Sequence, residues 1–148
     1  MKACVIGSGR RAKSTIRIFE ALKRWGGFEK VRFVPIESIE IGLRNDEKEV
    51  LYKNLDLSMF DCVVPRIGAS KSYFGYLIIS YLSSKGVYIP LEPKAILISH
   101  DKYLTIDILH SHGLPVPEIF LTISPRSARY VVDNIIKPPI VLKLLGGS

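Results

Sequence analysis

The sequence predicts an α/β fold on a parallel sheet, and three observations carry that prediction. Short apolar runs at 2–6, 31–35 and 60–65 alternate with segments of helical spacing. The runs are rich in Val, Ile, Phe and Cys, and glycine or proline punctuates each of them, as with buried strands. The stretches between are long enough to return the chain across a sheet, so the expected architecture is a parallel, Rossmann-like one. In a chain of 148 residues, 47% of them hydrophobic, one core has enough apolar material for a stable domain.

The elements follow in order. Lys2–Ile6 is the first strand, and Gly7-Ser8-Gly9 ends it. From about Arg11 to Trp25, the residues Ile16, Phe19, Leu22 and Trp25 recur at three-residue steps, which is helix spacing, and Gly26-Gly27 stops that helix. Val31–Pro35 is the second strand. The segment Glu37–Met59 is mixed, with a hairpin expected near Val50–Leu57. Phe60–Pro65 is the third strand, closed by Arg66-Ile67-Gly68. A helix follows over Tyr73–Ser84, and Val87–Pro90 reads as a short fourth strand.

From Glu92 the character changes. Two helical stretches meet at Ser99-His100-Asp101, and the second ends at Gly113. A strand is expected at Ile119–Thr122. Ser124-Pro125 then opens a helix reaching about Ile136, with proline at its first position. Pro138-Pro139 releases an apolar strand, Ile140–Leu145. The expected boundary lies near residue 92, with one α/β domain over 1–92 and the opening of a second unit over 93–148.

Composition excludes several classes. The chain is too apolar for a disordered tail, and its apolar runs are too short to span a membrane. The amino-terminal run lacks a cleavage site, so it reads as a strand and not as a signal peptide. Cys4 and Cys62 both lie in strand-like runs, which argues against a disulfide framework and for a cytoplasmic protein. Residues 1–32 hold nine Lys or Arg against Glu20 and Glu29, and that imbalance accounts for the whole formal net charge of +7. Such local charge fits an anion site or docking face better than a general nucleic-acid surface.

Four sites invite a chemical reading. Gly7-Ser8-Gly9-Arg10-Arg11-Ala12 leaves a strand and enters a helix, so it fits the G-x-G-x-x-G/A turn, whose backbone approaches a pyrophosphate at a helix N-terminus. Glu37, after the second strand, is placed where a ribose acid belongs. On the following helix Arg10, Lys13, Arg17 and Arg24 fall within about 60° of one another, forming a basic face that is either solvated or faces an anion. Lys102 stands in the first turn of a helix that Asp101 caps. Lys143 is a single charge inside Ile140–Leu145, ahead of a glycine turn, so its ammonium either reaches solvent or meets an anion. His110 and His112 are two apart on a helix and point to nearly opposite sides, so they do not share a metal.

Taken together, Phe60–Gly68, Tyr73-Phe74-Gly75, Asp101-Lys102 and Pro139-Ile140-Val141-Leu142-Lys143 resemble, in the same order, the motifs of the RimK-like ATP-grasp ligases, the ribosomal protein glutamate ligases and their relatives. The resemblance covers essentially the whole chain and is closest from residue 60 onward. It implies a Rossmann-like pre-ATP-grasp domain over 1–92 and the start of an ATP-grasp module over 93–148, cut off in its glycine-rich loop. In that family ATP activates a carboxylate as an acyl phosphate, which an amine attacks to form an amide bond.

Carried over residue by residue, Lys102 and Lys143 contact the nucleotide, and Gly146, Gly147 and Ser148 match the first half of the phosphate loop. Apart from the resemblance, Arg66 lies at the C-terminal end of a sheet strand, where open α/β folds place ligands, and with Gly68, Arg10 and Arg11 it is expected to bind the substrate. ATP and Mg2+ are the implied cofactors, with the magnesium ligands expected beyond this chain. The implied partners are an amino acid, glutamate foremost, and a protein or small-molecule acceptor such as a ribosomal protein, with no membrane and no direct nucleic-acid contact, and with homo-oligomers known in the wider family. Glu92 stands where relatives usually carry Asn. Two other readings remain open: a non-catalytic dinucleotide-binding module using Gly7–Ala12, and a basic docking module for RNA or a ribosomal surface using Arg10, Lys13, Arg17 and Arg24.

Overall fold

The computed structural model describes residues 1–8 and 12–144. The chain divides into two compact units, Met1–Leu97 and Ile98–Ser148.

The first unit is built on a parallel sheet of three strands, β1 (Lys2–Gly7), β2 (Lys30–Pro35) and β6 (Cys62–Arg66), in the order β2-β1-β6. The register sets Gly7 opposite Pro35 on one side and Arg66 on the other. Ala3, Cys4, Val5 and Ile6 are all fully buried. Side chains alternate between the faces of a strand, so a run with no exposed position means that both faces of β1 are covered. Cys4, Ile6, Val34 and Val63 join the main core with Ile78, Ile79 and Leu82 of α2 (Ser72–Ser84). On the opposite face α1 (Lys13–Trp25) lies against β1 and β2, and its Phe19 meets Phe33 edge-on at 6.3 Å.

That contact corrects the apolar stripe expected on α1. Phe19 and Leu22 are half-buried, but Ile16 is exposed and Trp25 is 64% exposed, resting on Phe28. Each three-residue step falls about 60° short of a turn, so the two ends of a four-residue series face opposite ways. The buried residue of the helix is Thr15, which the spacing did not single out. Gly26 closes α1 with φ of 75°, the left-handed conformation that glycine adopts without steric cost.

Between β2 and β6 the mixed segment is an antiparallel meander, β3 (Glu40–Arg44), β4 (Glu47–Tyr52) and β5 (Leu55–Asp56). Its two turns, Asn45-Asp46 and Lys53-Asn54, have positive φ at all four residues, the geometry of tight two-residue hairpins. The second hairpin is the one the sequence predicts. The first is legible only through Asn-Asp, a weak turn signal between strands that carry charge at about half of their positions. Val50 and Leu57 pack the meander onto the main core.

The short strand expected at Val87–Pro90 reduces to a single parallel bridge, Cys62 with Tyr88. Two backbone hydrogen bonds make it, Val63 N to Tyr88 O at 2.9 Å and Tyr88 N to Asp61 O at 3.0 Å. Pro90 then removes the next donor, so the ladder stops.

The helix α3 (Pro93–His100) runs across the division between the units. The second unit continues with α4 (Lys102–Ser111) and α5 (Pro125–Asn134). Asp101 caps α4 by accepting from Leu104 N at 2.9 Å, and Ser124 caps α5 by accepting from Ser127 N at 3.1 Å. Residues 119–122 form no strand, and neither do residues 140–144 of the expected strand Ile140–Leu145; Leu145 lies outside the described residues. Phe120, Leu121, Val141, Leu142 and Leu144 are exposed. Apolar sequence alone does not make a strand, because the ladder needs a partner to take its backbone groups, and none among the described residues pairs with either segment.

Candidate functional site

Open parallel sheets gather ligands beyond the carboxyl ends of their strands, at the point where strand order changes direction. Here that point is the end of β1, flanked by β2 and β6. Three segments meet there: Gly7-Ser8, the first turn of α1, and Arg66-Ile67-Gly68.

Gly7 sits in a tightly packed position. A side chain at this position would meet Thr15 Cγ2 at 3.0 Å and Arg66 O at 3.2 Å, so glycine allows the first turn of α1 to lie directly against the strand ends. Arg66, the last residue of β6, shares the register of Gly7 and therefore points to the α1 face. Its guanidinium donates to Ser14 Oγ at 3.3 Å and remains exposed. Ala12 offers α1 no side-chain cap, and no acidic residue stands in its first turn. The positive end of the helix dipole, a hydroxyl and an arginine thus face one small region, an arrangement complementary to a carboxylate or phosphate.

Ile67 and Gly68 have different tasks. Ile67 fills the space over α2 where Gly75 has no side chain; a Cβ there would come within 2.5 Å of Ile67 Cδ1. The segment Arg66-Ile67-Gly68 and the Tyr73-Phe74-Gly75 segment are therefore one packing unit, and it fixes the backbone that presents Arg66. Gly68 is exposed, and a side chain added there would come no closer than 4.0 Å to its nearest neighbour, Ser8 Oγ.

Glu37, placed by sequence at the ribose position, pairs with Lys71, which follows Gly68 in a short helical turn. Sequence reading did not find Ser14, Thr15 or Lys71. Ser14 and Lys71 act through neighbours distant in the chain, 52 residues away for Ser14 and 34 for Lys71, and no local pattern encodes such a contact.

Arg10, Arg11, Gly146, Gly147 and Ser148 lie outside the described residues. Lys13, Arg17 and Arg24 are exposed along α1. In the second unit Lys102 is the first residue of α4 and half-buried, beside the capping Asp101. Thr105 Oγ1 donates to Ile98 O at 2.6 Å and Asp101 O at 2.8 Å, which ties the first turn of α4 to the end of α3. Lys143 is exposed in the unpaired segment after Pro139, so its ammonium reaches solvent. An open groove of about 430 Å³ runs along α4, with Tyr103, Asp107 and His110 on one wall and Glu118 on the other.

Both thiols are held above their ordinary range. Burial pushes Cys4 up to about 12 against the opposing pull of Arg32, and burial with the neighbouring Asp61 raises Cys62. Burial raises Tyr81 as well, followed by the charges of Asp56, Glu47 and Glu49. Among the described residues no three His, Cys, Asp or Glu side chains are grouped to hold a metal ion, and no helix is long and apolar enough to cross a membrane.

The fold defines an α/β protein whose candidate site lies at the carboxyl ends of a parallel sheet. The chain belongs to the RimK PreATP-grasp domain family, whose model matches residues 1–96. Proteins named probable alpha-L-glutamate ligase from Vibrio cholerae serotype O1 and Cellvibrio japonicus are each 31% identical over 148 residues, covering all of this chain and 48% of the relative. One from Methanococcoides burtonii is 28% identical over the same span. The chain thus spans about half the length of the curated relatives it matches.

Among solved structures, the macrocyclase MdnB from Microcystis aeruginosa MRC superposes with a TM-score of 0.56 at 13% identity, over 87% of this chain and 56% of that one. The ATP-grasp ligase PsnB, solved with a phosphomimetic variant of its minimal precursor, Mg and ADP, superposes with a TM-score of 0.55 at 16% identity, over 85% of this chain and 49% of that one. The fold expected from the sequence is therefore the fold observed, and it is shared with ATP-grasp ligases.

Proposed function

We propose that this chain is the amino-terminal part of an ATP-dependent carboxylate–amine ligase that joins an amino acid, glutamate foremost, to a protein or small-molecule acceptor. ATP would supply the phosphoryl group that activates the carboxylate. In this reading residues 1–92 are the pre-ATP-grasp domain and 93–148 begin the nucleotide-binding module.

The observation that carries the proposal is Arg66 at the end of β6, hydrogen-bonded to Ser14 in the first turn of an uncapped helix. Arg66 holds a substrate carboxylate and Ser14 orients the guanidinium. Gly68, which leaves the approach open, and Arg10 and Arg11 in the adjoining loop complete the anion site. Lys102, set by the Asp101 cap, and Lys143, which reaches solvent, supply charge to the nucleotide phosphates together with the Gly146-Gly147-Ser148 backbone. Magnesium belongs to residues beyond this chain.

Two measurements test the reading. The coding sequence downstream of Ser148 should continue through further glycines to an acidic, Asn-containing segment; a stop codon there would overturn the parent-enzyme assignment. In the protein at the length of its relatives, ATP-dependent amide formation should fall about 100-fold in Lys102→Ala, the scale of lost phosphate electrostatics. It should fall comparably in Lys143→Ala. The 148-residue chain by itself should form no amide. Turnover by the short chain, or full turnover in both lysine variants, would refute the assignment.

A further inference from the structure

Trp25 ends α1 as an exposed ring held in one place. It is 64% exposed, yet a side chain added at Gly27 would run into three adjacent indole carbons, Cε3, Cζ3 and Cη2, all nearly equally near. Equal approach to neighbouring atoms means that the face of the ring, not its rim, lies on the glycine. Phe28 braces it, with ring centroids 5.2 Å apart and planes tilted by 58°. One face is thus covered, and the other is open to solvent.

Cations line the same helix. At 100° per residue Lys13, Arg17 and Arg24 fall within about 40° of one another, on the side opposite the buried Thr15, and Trp25 follows about 100° beyond Arg24. All three cations are exposed, and among the described residues none of them is in an ion pair, although α1 holds one acid, Glu20. The helix dipole accounts for Arg24 and for Lys23, whose ammonium sits 4.7 Å over the Phe19 ring, but it disfavours Lys13 at the first position.

We infer that the outer surface of α1, from Lys13 to Trp25, docks single-stranded nucleic acid: the open indole face stacks a base, and Lys13, Arg17 and Arg24 take the flanking phosphates. Such a partner is independent of the role of Arg66 and lies outside those implied by the family resemblance. Charge complementarity selects a polyanion, since residues 1–32 carry the whole net charge of +7. The ring selects among polyanions. Its face is the negative side of the quadrupole, so it gains nothing from a carboxylate, whereas every base has a π-face that stacks on it. A lipid surface would need more apolar residues beside the ring, and its solvent-facing neighbours on the helix are Ala21, then Arg17 and Arg24.

Trp25 is the only tryptophan, so its fluorescence reports the contact directly. Titration of the 148-residue chain in low salt with a ten-nucleotide oligouridylate should quench it saturably. The same strand annealed to its complement should bind at least about fivefold more weakly, because its bases are already stacked. By anisotropy of a labelled strand, Trp25→Ala should weaken binding about tenfold, the scale of one lost stack, and Trp25→Phe should recover part of that. Gly27→Ala, which displaces the ring but keeps it, should weaken binding about threefold. Arg17→Gln combined with Arg24→Gln should reduce the log–log salt slope by about 1.4. Absence of saturable quenching would overturn the inference. Affinity unchanged in Trp25→Ala, or a duplex bound as tightly as the single strand, would leave only a charged surface and overturn it too. Equal affinity for oligoglutamate, or for vesicles of anionic phospholipid, would assign the surface to an acidic peptide or a membrane instead. Unchanged unfolding midpoints in the variants show that each remains folded.

Discussion

Every buried residue among those described lies between Ala3 and Ile96, whereas residues 98–144 hold two whole helices and no buried residue at all. The helices of the second unit are well made locally. Asp101 and Ser124 cap them, and Leu104, Leu109, Tyr130 and Val132 stand exposed along them. The first unit has a layer of sheet between two helices, so each apolar face meets another. Capping and backbone hydrogen bonds produce a helix; a core appears only where a second layer supplies the opposite face.

This comparison is open to measurement, beginning with its largest consequence. Backbone amides of Val5, Ile6 and Val63 should exchange with solvent at least about 100-fold more slowly than those of Leu109 and Val131, because only the former open by unfolding of the core. Equal protection in the two units would break the contrast. Next, Ile78→Ala removes a fully buried side chain and should lower stability by about 2–5 kcal/mol. Leu109→Ala, at a 38% exposed position of α4, should cost less than about 0.5 kcal/mol in the same denaturant experiment.

The buried thiol of the first unit sharpens the contrast in alkali. Cys4 has its ordinary value of 9.0 when unfolded and about 12 in the fold, so between those limits the folded chain holds more protons than the unfolded one. Stability should then fall as pH rises above about 9, by up to about 1.4 kcal/mol per pH unit for this group, and the slope should be shallower in Cys4→Ala. Last, Gly75→Ala forces a methyl group against Ile67 and should cost about 1–3 kcal/mol. Ile67→Val in the same chain should recover part of that loss, since it removes the Cδ1 atom in closest conflict.

Much of the first unit is legible in the sequence. The apolar runs, the glycines that end them and the order of elements follow from periods and punctuation that act within a few residues. The Asp101 cap and the Ser124-Pro125 start were legible for the same reason. What escaped is nonlocal. Ile16 and Trp25 have the right spacing and the wrong angle, and only packing reveals that Thr15 is the residue α1 buries. The expected strands at 119–122 and 140–145 have strand composition without a partner among the described residues. At the site, Arg66 was found by its position at a strand end, while Ser14 and Lys71 became visible only once register set them beside their partners.

By itself, then, the sequence determined the α/β class, the strand that ends in Arg66, and the concentration of charge in its first 32 residues. Each depends on composition, period or a motif of adjacent residues. Tertiary structure decided which glycines are packing contacts, that Glu37 answers Lys71 across β1, and that the apolar residues of the second unit stand exposed. Those facts depend on strand order and on opposing faces, and neither is a property of any stretch of chain taken alone.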